Sequence, residues 1–273
     1  MNLSIVRPSW PGFNKIKYLI IFGDSYSDVG YRGEKTQRAT KEEPLAGCPY
    51  GLWNEPGLPN WVGHLVANRL PEHQLLVYDH AIGGVLVGGV GVQIQYTFVR
   101  TIAPRPDWAA WTPTDSLFVT WVGINDCAYK PPELDVYQKP LFTYQKRLYD
   151  AGARNFLFID VPPMERCPGS KGSTENSLIP AWNAALRANA ERFAEDRPDA
   201  TVLIFSANVL FNQILDSPAE HGFDLATAHT ARGCIWWDRI HITSQMHGLV
   251  ARGLEEFLAS QPAAQGPDDA TAP

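Results

Sequence analysis

Long apolar runs, cysteine pairs and an excess of positive charge are all missing from this sequence, and each absence closes off a class of function. The least polar stretch, Ala81 to Val92, carries five glycines and is too short to cross a bilayer. Acidic residues outnumber basic ones, 29 to 23, for a net charge of −6. Nothing electrostatic therefore draws the chain to nucleic acid or to an anionic membrane. The four cysteines, Cys48, Cys127, Cys167 and Cys234, form no C-x-x-C pair, which argues against a zinc site and against a disulfide framework. They read as small buried side chains, and a bridge or two stays open for a secreted protein. Residues 1–14 lack the continuous apolar core of a secretory leader. An intracellular chain and a chain released from its leader both fit, and neither compartment nor oligomeric state follows; a monomer is compatible. Also missing are G-x-S-x-G, the phosphate loop G-x-x-x-x-G-K, H-E-x-x-H, and G-x-G-x-x-G after a strand.

What is present is an alternation of short apolar runs and amphipathic segments. Lys17–Phe22, Leu75–Tyr78, Leu117–Val122, Asn155–Val161 and Thr201–Phe205 read as buried strands. Trp61–Leu70, Leu134–Ala151, Leu178–Ala194, Asn208–Leu215 and Ser244–Leu258 read as helices, and Gly83–Gly91 is a glycine-rich segment. That order predicts an α/β fold, a parallel sheet of about five strands with helices on both faces. One domain over 17–260 is expected, preceded by an extension (1–16) and followed by a disordered Pro/Ala/Asp tail (261–273). In such sheets, ligands bind beyond the carboxyl ends of the strands.

Four motifs carry chemistry, three of them directly after predicted strands. Gly23-Asp24-Ser25 puts a serine at a strand exit, where its hydroxyl enters the crevice and its own N–H can meet developing negative charge. Asp238-Arg239-Ile240-His241 spaces a carboxylate to orient an imidazole, leaving Nε2 to take the serine proton. Gly123-Ile124-Asn125-Asp126 offers an amide donor, and Ala81-Ile82-Gly83-Gly84 a backbone N–H that can approach a ligand closely. Taken singly, each is an ordinary cap or turn signal.

In combination and order they resemble the SGNH/GDSL hydrolase superfamily, over about Tyr18 to Leu258. The Leu of GDSL is Tyr26 here. The family's Asn-x-Ala-x-x-Gly falls on Asp79, Ala81 and Gly84, with Asp79 in the place of Asn, so Gly83 stays a second candidate. Asn60-Trp61, Trp182-Asn183 and Ile235-Trp236-Trp237 are similar to the plant and fungal branch, and within it to the fungal acetylesterases of carbohydrate esterase family 16. The resemblance implies a flavodoxin-like three-layer α/β/α sandwich and an esterase that needs no cofactor or metal. It further implies the triad Ser25, His241 and Asp238, and an oxyanion hole of Ser25, Gly84 and Asn125, with Gly83 and Asp24 against the substrate. The expected substrate is a small ester with a short acyl group, acetyl foremost, on a carbohydrate alcohol. Polar insertions at Gly30–Pro59 and Leu215–Ile235 suit a wet rim, and Trp53 or Trp61 could floor a sugar. An acyltransferase, a lipase-like enzyme of longer acyl preference and a non-catalytic binding module are the alternatives on this fold. His64, His73, His80, His221, His229 and His247 read as structural or surface residues.

Overall fold

In the computed structural model, residues 1–33, 37–67, 73–128, 135–170 and 177–264 are described. The expected tail (265 onward) and the end of the first helix (68–70) lie outside them. A six-stranded sheet forms the middle layer. Its strands are β1 (Leu3–Ile5), β2 (Tyr18–Gly23), β3 (Leu76–Asp79), β4 (Ser116–Trp121), β5 (Asn155–Ile159) and β6 (Thr201–Phe205). The spatial order is β1-β6-β5-β4-β2-β3. Five strands run parallel, as expected; β2 sits in register on β4 with Ile21 beside Val119. The sixth lies in the segment expected as an N-terminal extension: Leu3–Ile5 pairs antiparallel with β6, Ser4 opposite Leu203. Three residues are too few for a periodic signal, and the pairing is decided by the edge it covers.

Residues of β2, β4, β5 and β6 are buried along their whole length because helices cover both sheet faces. On one side α1 (Trp61–Ala67) packs on α8 (Ser244–Ala259), and α8 on α7 (Ala207–Asp216). On the other, α2 (Val87–Val92) packs on α5 (Asp135–Asp150), and α5 on α6 (Ile179–Glu195). The two caps that start α7 and α8 are local: Ser206 Oγ accepts from Val209 N–H, and Thr243 Oγ1 from Met246 N–H, each at 3.3 Å.

The glycine-rich segment forms an element that its composition does not announce. Val87–Val92 is helical and runs through a π-helical turn, Gln93–Phe98, into α3 (Val99–Thr101). Three glycines in six residues each cost roughly 1 kcal/mol of helix propensity, so composition opposes a helix there. Tertiary contacts reverse that. A Cβ on Gly91 would run into the ring of Tyr144 in α5, so the missing side chain lets the two helices close up. The cap of α2 comes from elsewhere in the chain: Asp126 Oδ1 accepts the Val87 N–H at 3.1 Å. Among the described residues no helix is long and apolar enough to cross a membrane, and all four cysteines are unbridged.

Setting β1 aside, the chain order of the parallel strands is 2-1-3-4-5, the flavodoxin-like winding. It reverses between β2 and β4, and a crevice opens beyond their carboxyl ends. The segments carrying Ser25 and Asn125 leave β2 and β4 at that point, and the one carrying Gly84 leaves β3.

Candidate active site

Ser25 follows β2 by two residues and is nearly buried. The strand end is clamped: Gln93, in the π-helical turn, accepts the Gly23 N–H at 3.0 Å and donates to the Gly23 carbonyl at 2.8 Å. Irregular helix turns are frequent at functional sites, and here the irregularity carries a side chain to the root of the serine loop.

His241 arrives from the other end of the chain on a turn that organises itself. Asp238 Oδ1 accepts the amides of Ile240 and His241 at 2.8 and 2.7 Å, which folds the Asp-x-x-His segment back on its own carboxylate. Oδ2 is left facing the ring, 2.7 Å from Nδ1. Nε2 lies 2.9 Å from Ser25 Oγ. With Nδ1–H donated to the carboxylate, Nε2 is the acceptor for the serine hydroxyl. Burial opposes charge on Asp238, but the His241 amide, the imidazole and the Ile240 amide outweigh it and hold the carboxyl below its ordinary range.

The two loops are tied together by Tyr26, whose hydroxyl donates to the Ile240 carbonyl at 2.6 Å. Leucine, the more familiar residue of the motif, could not make this bond.

Asn125 opens α4 (Ile124–Ala128), and its Nδ2 donates to the Val85 carbonyl at 3.1 Å and to Asp24 Oδ2 at 3.3 Å. Asp24, expected against the substrate, is wholly buried and holds Tyr26 N–H and Asn125. Burial pushes its carboxyl up to about 7, with Asp126 and Asp28 adding to the rise and the Tyr26 amide opposing it.

The two candidate glycines differ in geometry. Gly83 N–H is already given to Asp28 Oδ2 at 2.9 Å, and a Cβ there would strike the indole of Trp53. The Gly83 amide is thus already engaged within the protein. Gly84 has φ +79, the left-handed region, with open space where a Cβ would point. Its amide, like that of Ser25, has no hydrogen bond among the described residues.

Two residues of the site escaped the motif reading. Asp28 is buried, and its carboxylate gathers Gly30 N–H, Gly83 N–H and the Arg32 guanidinium. Trp53, named only as a sugar floor, lies over His241 with ring centroids 5.2 Å apart and is 40 % exposed. Trp61, the other candidate floor, is core: it is fully buried, and its indole N–H reaches Ser27 Oγ at 3.1 Å. The remaining described histidines take no part in the Ser25–His241–Asp238 chain; among the described residues no group of three His, Cys, Asp or Glu is placed to hold a metal.

Comparison with known proteins agrees in kind. The family model of GDSL-like Lipase/Acylhydrolase matches residues 19–254. An acetylesterase of Thermothelomyces thermophilus is 34% identical over 266 residues, covering 88% of this chain and 87% of the relative. The fold is similar to that of a catalytic mutant of Axe2, an acetylxylan esterase from Geobacillus stearothermophilus, with TM-score 0.58, 17% identity, and 92% and 97% of the two chains covered. It is likewise similar to LAE5, an alpha/beta hydrolase enzyme from the metagenome of Lake Arreo, with TM-score 0.60, 17% identity, and 92% and 100% covered. The chain therefore belongs to the GDSL-like lipase/acylhydrolase family and is a carboxylic ester hydrolase.

Proposed function

We propose that this hydrolase is a serine esterase acting on short acyl esters of polar alcohols, acetylated carbohydrates foremost, through an acyl-enzyme on Ser25. The observation that carries the reading is the unbroken run of hydrogen bonds from Asp238 through His241 to Ser25, 2.7 and 2.9 Å long. Its acetyl preference is supported by the 34% identical acetylesterase.

In this mechanism Oγ of Ser25 attacks the ester carbonyl carbon while its proton passes to His241 Nε2. Asp238 stabilises the imidazolium so formed without taking the proton. The carbonyl oxygen, now an oxyanion, meets the amides of Ser25 and Gly84 and one Nδ2 hydrogen of Asn125. That hydrogen is released from Asp24, the longer of the two bonds Asn125 makes. The imidazolium then protonates the departing alcohol. Water, deprotonated by the same nitrogen, attacks the acyl-serine and frees the acid. Transfer to a second alcohol would replace only that last nucleophile.

One observation favours a longer acyl group. A cavity of about 320 Å³ opens beside Asn125 and Ile240, walled by Ile124, Met164, Leu178 and Ile179. An acetyl methyl fills little of it, and each further buried methylene contributes roughly 0.8 kcal/mol. An aryl ester series from acetate to decanoate, with acetylated sugars alongside, decides between the two. We expect kcat/KM to fall beyond butyrate and acetylated sugars to turn over; decanoate exceeding acetate would make the enzyme lipase-like.

A further inference from the structure

Asp28 stands three residues beyond the serine and touches neither Ser25 nor His241 in any hydrogen bond, yet it meets both sides of the cleft. Oδ2 accepts the Gly83 N–H at 2.9 Å and the Trp53 indole N–H at 3.4 Å. Oδ1 accepts the Gly30 N–H at 2.9 Å, and Arg32 closes on both oxygens at 3.0 and 3.2 Å. The same guanidinium reaches the Ala81 carbonyl at 3.3 Å, a second tie to the loop that carries Gly84. Gly83 and Trp53 also interlock sterically, since only a glycine leaves room for the indole there.

We propose that Asp28 is a positioning residue for both halves of the reaction centre, acting through Trp53 on the base and through Gly83 on the oxyanion loop. Anchoring the Gly83 N–H fixes the peptide that precedes Gly84, and with it the direction of the Gly84 amide. Anchoring the indole N–H holds the ring against the imidazole face, which limits rotation of His241 and keeps water off that side. The buried carboxylate is a tolerable element of the site because Arg32 offsets its charge and several donors satisfy its oxygens. This role rests on the reading of Ser25 as nucleophile and His241 as base.

The test is a coupling measurement on the full chain with three variants: Asp28→Asn, Trp53→Phe and their combination. Active sites are counted by a serine-directed aryl phosphonate, and kcat and KM are measured with an aryl acetate. Loss of one oxyanion donor costs about 10²–10³ in kcat. Misaiming a donor should cost less, so Asp28→Asn is expected to lower kcat per titrated site by about tenfold, with KM changed by less than about twofold. Trp53→Phe, which keeps a ring but loses the N–H, should cost less again. The double variant should be no slower than Asp28→Asn alone, because both changes break one unit. Unchanged kcat per site in Asp28→Asn, or losses that multiply in the double variant, would overturn the proposal. If Asp28→Asn does not fold, Gly83→Ala takes its place: its Cβ displaces the indole, and its loss should likewise fail to multiply with that of Trp53→Phe. A wild-type enzyme that takes no phosphonate on Ser25 would instead sink the nucleophile assignment.

Discussion

Two histidines stand at the carboxyl edge of the sheet, and their surroundings give them opposite characters. His241 has a partner on each ring nitrogen, a carboxylate at 2.7 Å and a hydroxyl at 2.9 Å. His80, just past β3, is equally hidden from solvent, but neither of its nitrogens has a partner among the described residues. It stacks on Phe22 with centroids 5.4 Å apart, and Tyr31 and Phe98 meet it edge-on. Burial alone pushes it down to about 3, so it is a neutral aromatic plate at ordinary pH. Burial next to a strand end does not make a base; a carboxylate fixing the tautomer and an acceptor role toward a hydroxyl do.

The sharpest way to break the contrast is to strip His241 of its partners. Ser25→Ala should reduce kcat by about 10⁶-fold while leaving the circular dichroism and thermal midpoint unchanged, since losing a triad nucleophile removes nearly all the catalysis the triad supplies. Activity retained at a tenth would move the nucleophile elsewhere. Asp238→Asn should cost about 10⁴-fold, because an amide cannot hold Nδ1–H or stabilise the imidazolium. Measuring kcat and KM together checks this, for substrate binding should survive. An ordinary rate would reduce Asp238 to a turn residue.

Next in size is the oxyanion side. Asn125→Ala should lower kcat by about 10²–10³ with little change in KM. It also removes the bonds to Val85 and Asp24, so the phosphonate titration must show the serine still reactive at a reduced rate. A KM effect without a kcat effect would make Asn125 a ground-state contact.

Ser25 and Asn125 were legible because each stands in a short contiguous motif at the end of a continuous apolar run. Tyr18–Gly23 and Ser116–Trp121 announce buried strands by composition, and the reactive groups come directly after them. The D-x-x-H turn is legible for a different reason: all of its hydrogen bonds to Asp238 close within three residues. What stayed hidden depends on distant partners. The helix at Val87–Val92 is capped by Asp126 and packs Gly91 against the ring of Tyr144, neither of which is near it in sequence. Trp53 sits in a polar loop whose composition says only that it is a loop, and its place over His241 is set by Asp28 and Gly83. The burial of Asp24 was equally hidden, because it is set by the strand exit and not by its place beside the serine in sequence.

The smallest effect tests the other member of the pair, and it is read in stability instead of rate. An unfolded histidine titrates near 6.5, while His80 and His247 are both pushed down to about 3 by burial, with His64 and His241 adding to the effect at His247. Between those values the unfolded chain binds more protons, so both residues make stability fall as pH drops below 6.5. Asp24 and Asp126, raised by burial to about 7 and about 6, work in the opposite sense: their folded forms hold protons that the unfolded chain has lost, so stability falls as pH rises above 3.8. The two sets partly mask one another in the wild-type curve. His80→Phe removes one member of the first set and puts a ring without polar atoms among Phe22, Tyr31 and Phe98. Urea unfolding at about pH 4.5 and about pH 7 should then show the variant gaining on wild type by roughly 2 to 3 kcal/mol more at the lower pH. Activity at neutral pH should be nearly that of wild type, because His80 shares no hydrogen bond with Ser25, His241 or Asp238. An equal gain at both pH values would mean that His80 is protonated inside the folded protein, and that the inert plate has a partner after all.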